Sequence, residues 1–326
     1  MKPKVYITRK IPKEVVKQIA EVCNVRMWEE EDIPVPRHVL EKELAESDGL
    51  YCLLTENIDR DLLDKSPRLK VISNMAVGYN NIDIKTASQR GIMVTNTPGV
   101  LAQTTADLTF ALLMATARRL VESSDFLRKG EWKTWSPMLL TGQDVYGSTL
   151  GIIGLGQIGE LVAQRAKGFE MHVLYHNRSR KLEAEEKKGI QYTDMETLLK
   201  ESDFVCILTP FTSETRHLIG RKELSLMKNT AVLINTARGG IVDEAALYDA
   251  LKKKEIWAAG LDVFEQEPVA IDHPLLTLSN VVTLPHIGSA SFHTRMQMAQ
   301  LAAENLLAAL LGDIPKTLVN ESVISK

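Results

Sequence analysis

The chain has 326 residues, 44% of them hydrophobic and 25% charged, with a formal net charge of -3. A chain of this length is longer than one that usually folds around a single hydrophobic core, so two domains are predicted. Without a basic surplus, binding to nucleic acid or an anionic membrane is not expected. The longest apolar stretch is interrupted by Arg118 and Arg119, so it is too short to span a bilayer. The N-terminus enters a strand-like pattern directly, and the three cysteines are scattered, which predicts a cytoplasmic protein without a disulfide framework or metal site.

The first part of the chain alternates short β-branched runs with helical patterns. Strands are predicted at 5–8, 25–28, 49–53, 71–75 and 93–95, with helices near 12–22, 37–46, 59–66 and 82–90. A Pro-Gly break at 96–99 ends this series, and one long helix is predicted over 101–129.

A second series of strands follows that helix. Its members are predicted at 149–153, 173–175, 204–208, 231–234, 258–263 and 281–284, before a helical tail at about 291–311. Strands alternating with helices indicate parallel sheets covered on both faces. The predicted fold class is therefore α/β, with two doubly wound domains of the Rossmann or flavodoxin type. A cleft between such domains is the expected place for a ligand.

A glycine-rich turn follows the first strand of the second series. Residues 154–159, Gly-Leu-Gly-Gln-Ile-Gly, match the G-x-G-x-x-G pattern between an apolar strand and a helix. Gly154 is expected to allow the tight turn, Gly156 the approach of a pyrophosphate, and Gly159 close helix–strand packing. Gln157 and Ile158 open the helix, whose N-terminus favours phosphate. A turn that merely connects strand to helix is the alternative.

The end of the next strand distinguishes NAD from NADP. An NAD site usually carries Asp or Glu there to bind the ribose hydroxyls. This chain has Asn177, Arg178, Ser179 and Arg180 instead. Two guanidiniums and a hydroxyl suit a 2′-phosphate, so NADP(H) is predicted as the preferred cofactor and NAD(H) as a weaker one. A solvated basic turn is the alternative interpretation.

Three later strands are each followed by polar residues. Arg238 follows the first, Asp262 to Glu267 the second, and His286 the third. An arginine can bind a carboxylate and polarise a carbonyl, and an imidazolium can protonate the forming alkoxide. An adjacent carboxylate can orient that imidazolium and favour its charged form. This set predicts reduction of a 2-keto acid.

These segments and the glycine turn, with Val77–Asp83 and Thr105–Asp107, resemble the D-isomer-specific 2-hydroxyacid dehydrogenase family over essentially the whole chain. The similarity is greatest to glyoxylate/hydroxypyruvate reductases and 2-ketogluconate reductases. It implies that Arg238 binds substrate, that Glu267 is the partner carboxylate, and that His286 is the acid/base. Glu265, two residues away, is the competing carboxylate, and Glu267 is preferred because the family's carboxylate immediately precedes proline.

The resemblance implies further binding residues. The amides of Val77 and Gly78 would hold the substrate carboxylate, and Ser289 would also contact the substrate. Asp262 would contact the nicotinamide carboxamide, and the cofactor site would also be lined by Thr209, Pro210, Thr236 and Gly288.

The family also implies a discontinuous layout. Residues 1–98 with 290–326 would form the substrate domain, and 99–289 the cofactor domain. The long helix would dock on a second subunit to give a homodimer, and Trp135 would either reach the partner's active site or pack at the interface. The choice of substrate among glyoxylate, hydroxypyruvate and 2-ketogluconate stays open. The alternatives are a nucleotide-sensing corepressor, a formate or phosphite dehydrogenase, and an L-specific lactate or malate dehydrogenase. Of these, the corepressor, the formate dehydrogenase and the L-specific enzymes are disfavoured.

Overall fold

The computed structural model describes residues 2–324. These residues separate into two compact units. One contains the chain up to Leu101 together with the segment from Ala290 onward, and the other contains Ala102–Ser289.

The strands and helices are numbered in chain order. The strands are β1 Lys4–Ile7, β2 Asn24–Met27, β3 Gly49–Cys52, β4 Val71–Asn74, β5 Met93–Thr95, β6 Thr149–Ile153, β7 His172–His176, β8 Gln191–Tyr192, β9 Phe204–Ile207, β10 Val232–Asn235, β11 Ala258–Leu261 and β12 Val281–Thr283. The helices are α1 Lys13–Val22, α2 Arg37–Leu44, α3 Arg60–Asp64, α4 Ile84–Gln89, α5 Ala102–Ala117, α6 Leu120–Arg128, α7 Gln157–Ala166, α8 Leu182–Lys188, α9 Met195–Glu201, α10 Arg221–Leu226, α11 Glu244–Lys252 and α12 Phe292–Leu311.

The first unit is built on a parallel sheet in the order β2-β1-β3-β4-β5. This is the flavodoxin-like order, in which the chain reverses direction across the sheet. Helices α1 and α12 share one apolar cluster on this sheet, and α2 to α4 contribute to the other. Alanines of α12 allow close approach, and its carbonyls at Ala299 and Ala302 accept hydrogen bonds from Tyr51 and Ser73 of the sheet. The C-terminal helix is therefore an integral part of this unit.

The second unit is built on a parallel sheet in the order β12-β11-β10-β9-β6-β7-β8. The strand order reverses between β6 and β9, and ligands of such sheets bind outside the carboxyl ends of the strands at that point. Helices α5 and α7 pack on one face and α9 to α11 on the other. The predicted fold class, two doubly wound parallel-sheet units, is confirmed by this architecture.

The single helix predicted over 101–129 is wrong, because the structure has two helices there. Helix α5 ends at Ala117 and α6 begins at Leu120, with Arg119 between them in the left-handed conformation at φ 52°. The amide of Gln143 donates to the Ala117 carbonyl at 2.9 Å. Gly142 packs so tightly there that a Cβ would lie 2.1 Å from the same carbonyl oxygen. A loop far along the sequence therefore occupies the position where the next helical turn would form.

Candidate active site

The glycine turn connects β6 to α7, and two of its glycines are required by their surroundings. Gly154 has φ 99°, and a Cβ there would lie 2.6 Å from the amide nitrogen of Thr209, which follows β9. A Cβ on Gly159 would lie 2.6 Å from the Gly154 carbonyl oxygen, so this glycine lets the first turn of α7 approach the strand. At Gly156, by contrast, a Cβ would meet nothing within 4 Å. Glycine at this position therefore leaves space open at the helix N-terminus, where Gln157 and Ile158 begin α7.

Asn177 follows β7 and braces the glycine turn from the neighbouring strand. Its side-chain oxygen accepts a hydrogen bond from the Leu155 amide at 2.7 Å, and its Nδ2 donates to the Leu155 carbonyl at 3.3 Å. The side chain predicted to contact the cofactor thus also holds the turn in place. Its second role could not be inferred from the sequence pattern, because Asn177 and Leu155 lie 22 positions apart in the chain.

The two arginines after β7 have different environments. Arg180 donates to Glu185 through Nε and Nη2, at 2.9 and 2.7 Å, and lies over the Tyr192 ring. Arg178 is exposed and has no hydrogen-bond or ion-pair partner within the described part of the chain. Local hydrogen bonds are the main cause of a lowered pKa at Glu214, and the charge of Arg178 adds to that effect. Arg178 is therefore the guanidinium of the pair that is available to a ligand, while Ser179 beside it is also exposed.

The remaining residues predicted to line the cofactor site also follow strands of this sheet. Thr209 and Pro210 come after β9, and Thr209 contacts the glycine turn as described. The Thr236 hydroxyl is buried against α5, 2.6 Å from the Thr109 hydroxyl. Because Thr109 already donates to the Thr105 carbonyl, Thr236 is the donor of that pair. Its hydroxyl proton is thus committed inside the protein.

His286 and Glu267 are hydrogen-bonded, Nδ1 to Oε2, at 2.6 Å. The other carboxylate oxygen of Glu267 accepts from the Phe264 amide at 3.0 Å, so the carboxylate is held from two sides. Burial alone would raise the pKa of Glu267. The hydrogen bond and charge of His286, the Phe264 amide and the Arg238 charge outweigh that effect and hold the pKa below its usual value. A carboxylate bound to Nδ1 leaves Nε2 as the ring nitrogen available for chemistry.

The backbone at His286 is in the left-handed region, with φ 54°. Non-glycine residues adopt this conformation rarely, and it persists where the surroundings enforce it. The next residue supplies such a restraint, since the Ile287 amide donates to Asp262 Oδ1 at 2.7 Å. Asp262 therefore fixes the loop that presents His286.

The competing carboxylate, Glu265, is engaged elsewhere. His217 Nε2 lies 3.1 Å from its Oε1, and the Glu265 amide donates to Glu244 at 2.7 Å. Glu244 in turn pairs with His273 at 3.1 Å. Glu265 and Glu244 thus form one group with His217 and His273, and Glu267 forms a separate pair with His286.

Arg238 follows β10 in a turn closed by Asn235. The Asn235 side chain donates to the Arg238 carbonyl at 2.9 Å and accepts from the Ala237 amide at 3.1 Å. Arg238 is half-buried, and its Nη1 donates to the Ala237 carbonyl at 2.8 Å. Burial lowers the pKa of its guanidinium and the nearby Glu267 charge opposes that shift. Asn235 was not among the predicted site residues, although its place at a strand end was a signal for it.

Gly239 brings the loop of Arg238 against the loop of Glu267. A Cβ on Gly239 would lie 1.7 Å from the Phe264 carbonyl oxygen and 2.5 Å from the Glu265 nitrogen. No side chain can be accommodated at this position without moving one loop away from the other.

Asp262 carries a buried polar atom without a partner. The residue is 1% exposed, and while Oδ1 accepts from Ile287, Oδ2 has no hydrogen-bond partner within residues 2–324. Burial raises the pKa of this carboxyl, and the hydrogen bond from the Ile287 amide opposes that rise. A Cβ on Gly288 would lie 3.2 Å from Oδ2, so glycine there leaves the atom room. An unsatisfied buried acceptor is costly and fits a ligand that donates a hydrogen bond.

The other predicted residues take no part in the hydrogen bonds described above. Val77 and Gly78 follow β4 in the first unit, and Ser289 is half-buried after β12. Trp135 lies in the loop after α6 and is 76% exposed. Within residues 2–324, no helix has both the length and the apolar character needed to cross a membrane. No group of three or more His, Cys, Asp or Glu side chains in that range is placed to hold a metal ion.

Comparisons with known proteins show which family the chain resembles. A family model described as "D-isomer specific 2-hydroxyacid dehydrogenase, NAD binding domain" matches residues 110–288. A glyoxylate reductase of Thermococcus litoralis is 52% identical over 329 residues, covering 100% of this chain and 99% of the relative. A crystal structure of a Thermus thermophilus protein has a TM-score of 0.91 at 43% identity, covering 97% of this chain and 99% of that one.

A further solved structure carries ligands. It is an NADPH-dependent glyoxylate/hydroxypyruvate reductase of Sinorhizobium meliloti in complex with NADP and malonate, with a TM-score of 0.85 at 33% identity, covering 99% of this chain and 98% of that one. The doubly wound fold, the glycine turn and these relatives together define a dehydrogenase with a Rossmann-type dinucleotide-binding domain. The chain belongs to the D-isomer-specific 2-hydroxyacid dehydrogenase family.

Proposed function

We propose that this protein reduces a small 2-keto acid (glyoxylate, hydroxypyruvate or 2-ketogluconate) to the D-2-hydroxy acid, with NADPH preferred and NADH a weaker donor. The observation that carries the proposal is the His286–Glu267 hydrogen bond of 2.6 Å beside a half-buried arginine. The names of the relatives at about half identity favour glyoxylate among the three acids.

The residues present fit a dinucleotide. The open space at Gly156 and the N-terminus of α7 suit the pyrophosphate. The unpartnered Asp262 Oδ2 suits the carboxamide of the nicotinamide, which has two N–H donors. Thr209, Pro210, Thr236 and Gly288 would line the same site, Thr236 through its backbone. Bound there, the reduced nicotinamide supplies the hydride.

The side chains of this unit supply the remaining chemistry. Arg238 binds the substrate carboxylate through charge-assisted hydrogen bonds and polarises the carbonyl. His286 donates a proton from Nε2 to the carbonyl oxygen as charge develops on it. Glu267 holds the opposite ring nitrogen and stabilises the imidazolium before the proton leaves. Val77, Gly78 and Ser289 are proposed to complete substrate binding.

NADPH preference is assigned mainly to Arg178. Its guanidinium is exposed and unpaired within the described chain, whereas Arg180 is held by Glu185. Asn177 stands where an NAD enzyme places a carboxylate, so the residue at this position carries no charge that would repel a 2′-phosphate. Ser179 is placed to add a hydroxyl donor.

The function is tested by measuring kcat/KM for glyoxylate, hydroxypyruvate and 2-ketogluconate with NADPH and with NADH. We expect reduction of at least one acid and a kcat/KM at least about tenfold higher with NADPH, equivalent to roughly 1.4 kcal/mol. Failure with all three acids would contradict the function, and a tenfold preference for NADH would contradict the cofactor assignment.

Arg178→Ala and Arg180→Ala form a matched pair for that experiment. Loss of a charge-assisted hydrogen bond should raise KM for NADPH in Arg178→Ala by about tenfold or more and leave KM for NADH unchanged. Arg180→Ala should have a smaller effect, because its guanidinium is already paired with Glu185. Equal effects of the two substitutions would show that the assignment to Arg178 is wrong.

The protein is further proposed to act as a homodimer through α6 and the loop that follows. Helix α6 has no buried residue, and large apolar side chains lie exposed along it and the loop: Leu120, Val121, Leu127, Trp132, Trp135 and Met138. Such a concentration of apolar surface indicates an interface. Trp135 is proposed to reach the partner's active site or to pack at the subunit contact.

Sedimentation tests this assembly. We expect twice the chain mass of 36.4 kDa for the wild type. Leu127→Asp should shift the protein toward the monomer, because it places a charge in the apolar surface. The control Leu182→Asp, at an equally exposed leucine of α8, should not. A monomeric wild type would contradict the proposal.

A further inference from the structure

The loop after β4 has three successive carbonyl groups that are each held by a hydrogen bond. The Ala76 carbonyl accepts from the Thr97 amide at 2.8 Å. The Val77 carbonyl accepts from Asn96 Nδ2 at 2.8 Å, and the Gly78 carbonyl accepts from Asn74 Nδ2 at 2.9 Å. Three consecutive peptide planes are therefore oriented by groups on β4 and on the segment after β5.

The orientation of these carbonyls determines that of the next amides. A trans peptide is planar, so its N–H points opposite to its carbonyl, and these peptides are trans. The N–H groups of Val77, Gly78 and Tyr79 thus point away from Thr97, Asn96 and Asn74. None of the three donates a hydrogen bond to another group within residues 2–324. Amide N–H groups without an internal acceptor can donate hydrogen bonds to an anion.

The two asparagines are themselves firmly held. Asn74 is the last residue of β4 and is fully buried. The Asn96 carbonyl accepts from the Thr317 hydroxyl at 2.6 Å, and that hydroxyl accepts from Asn305 of α12 at 2.7 Å. A chain of hydrogen bonds therefore runs from the C-terminal helix to the Val77 carbonyl. Because the donors are fixed, the amides are oriented before any ligand arrives.

We propose that Asn74 and Asn96 are positioning residues, which orient the amides of Val77, Gly78 and Tyr79 to bind the substrate carboxylate. The proposal rests on the proposed function, in which this loop binds a 2-keto acid. It extends that function in two ways: it adds the Tyr79 amide to the binding groups, and it gives the two asparagines a role in substrate affinity. Donors that are already oriented bind an anion without paying for reorganisation.

Asn96→Asp is the most direct test, because it keeps the shape of the side chain and turns a donor toward Val77 into an acceptor. Two acceptors facing each other repel, so the Val77–Gly78 peptide should rotate. The matched control is Asn320→Asp in the same unit. Asn320 is buried and likewise donates to a backbone carbonyl, that of Ile92, at 2.9 Å, but none of its hydrogen bonds goes to the loop. Asn96→Ala is the second variant, since it removes the donor without adding an acceptor.

The readout is the Kd of oxalate, a glyoxylate analogue that cannot be reduced, measured by calorimetry on the NADPH-loaded protein together with the Tm. We expect the Kd to rise at least about tenfold in Asn96→Asp and less in Asn96→Ala. In Asn320→Asp the Tm should fall while the oxalate Kd stays unchanged. With glyoxylate, Asn96→Asp should raise KM by a larger factor than it lowers kcat.

Three results would overturn the proposal: a wild type that does not bind oxalate, an unchanged Kd in both Asn96 variants, or an equal loss in Asn320→Asp. The last would show that general destabilisation explains the effect. If the expected oxalate pattern holds but no 2-keto acid is reduced, the proposed function fails while the positioning role stands.

Discussion

His286→Ala is expected to lower kcat for 2-keto acid reduction by about 10³-fold while leaving NADPH affinity unchanged. General acid catalysis by a positioned side chain typically contributes 10²–10⁴-fold, and no other histidine is hydrogen-bonded to Glu267 within the described residues. Single-turnover kinetics with glyoxylate measure the chemical step, and NADPH fluorescence measures binding.

The control for this substitution is His172→Ala. His172 is exposed and begins β7, at the sheet edge opposite to the strand ends that carry the site. It should keep wild-type turnover. Glu267→Gln should show an intermediate loss, because the amide can still accept from Nδ1 but no longer stabilises the imidazolium by charge. Wild-type turnover in His286→Ala would refute the proton-donor assignment.

Arg238→Gln is expected to reduce kcat/KM by about 10²–10³-fold, through a higher KM for the keto acid and a lower kcat. The guanidinium is proposed to act on both the substrate carboxylate and the carbonyl, and loss of one oriented donor at such an oxygen costs this much in other enzymes. Arg238→Lys should rescue little, because an ammonium cannot reproduce the planar paired donors. Steady-state kinetics at saturating NADPH measure both parameters.

Arg216→Gln is the corresponding control, since Arg216 is an exposed arginine of the same unit. It should leave kcat and KM unchanged. A purely structural role for Arg238 would appear as a fall in Tm with KM unaltered, and that outcome would contradict its assignment to the substrate.

The sequence predicted the fold well because each element carries its own local signal. Strands β6 and β9, for example, are apolar runs bounded by turn residues. All of the predicted strands lie in one or other of the two parallel sheets, as expected. The exceptions depended on distant contacts. Helix α5 ends where Gly142 and Gln143 meet the Ala117 carbonyl, and nothing within residues 101–129 encodes that contact.

The candidate site likewise has features that local sequence predicts and features that depend on distant contacts. Residues at strand ends were predictable, because parallel strands deliver their carboxyl ends to one edge of the sheet. The environments of those residues were not. Arg178 and Arg180 look equivalent in the sequence, yet among residues 2–324 only Arg180 of the two has an ion-pair partner, Glu185. Asn96 and Asn235 hold backbone carbonyls, and such bonds leave no pattern in side-chain spacing.

The contact of Gly239 with the Phe264 carbonyl bears on how this protein can change during evolution. The loops carrying Arg238 and Glu267 meet through main-chain atoms at Gly239 and Phe264, so at this point no side chain separates them. Other residues of the candidate site can therefore vary while this contact keeps the two loops together. Gly239 itself cannot vary, because the methyl group of an alanine at this position would push the two loops apart.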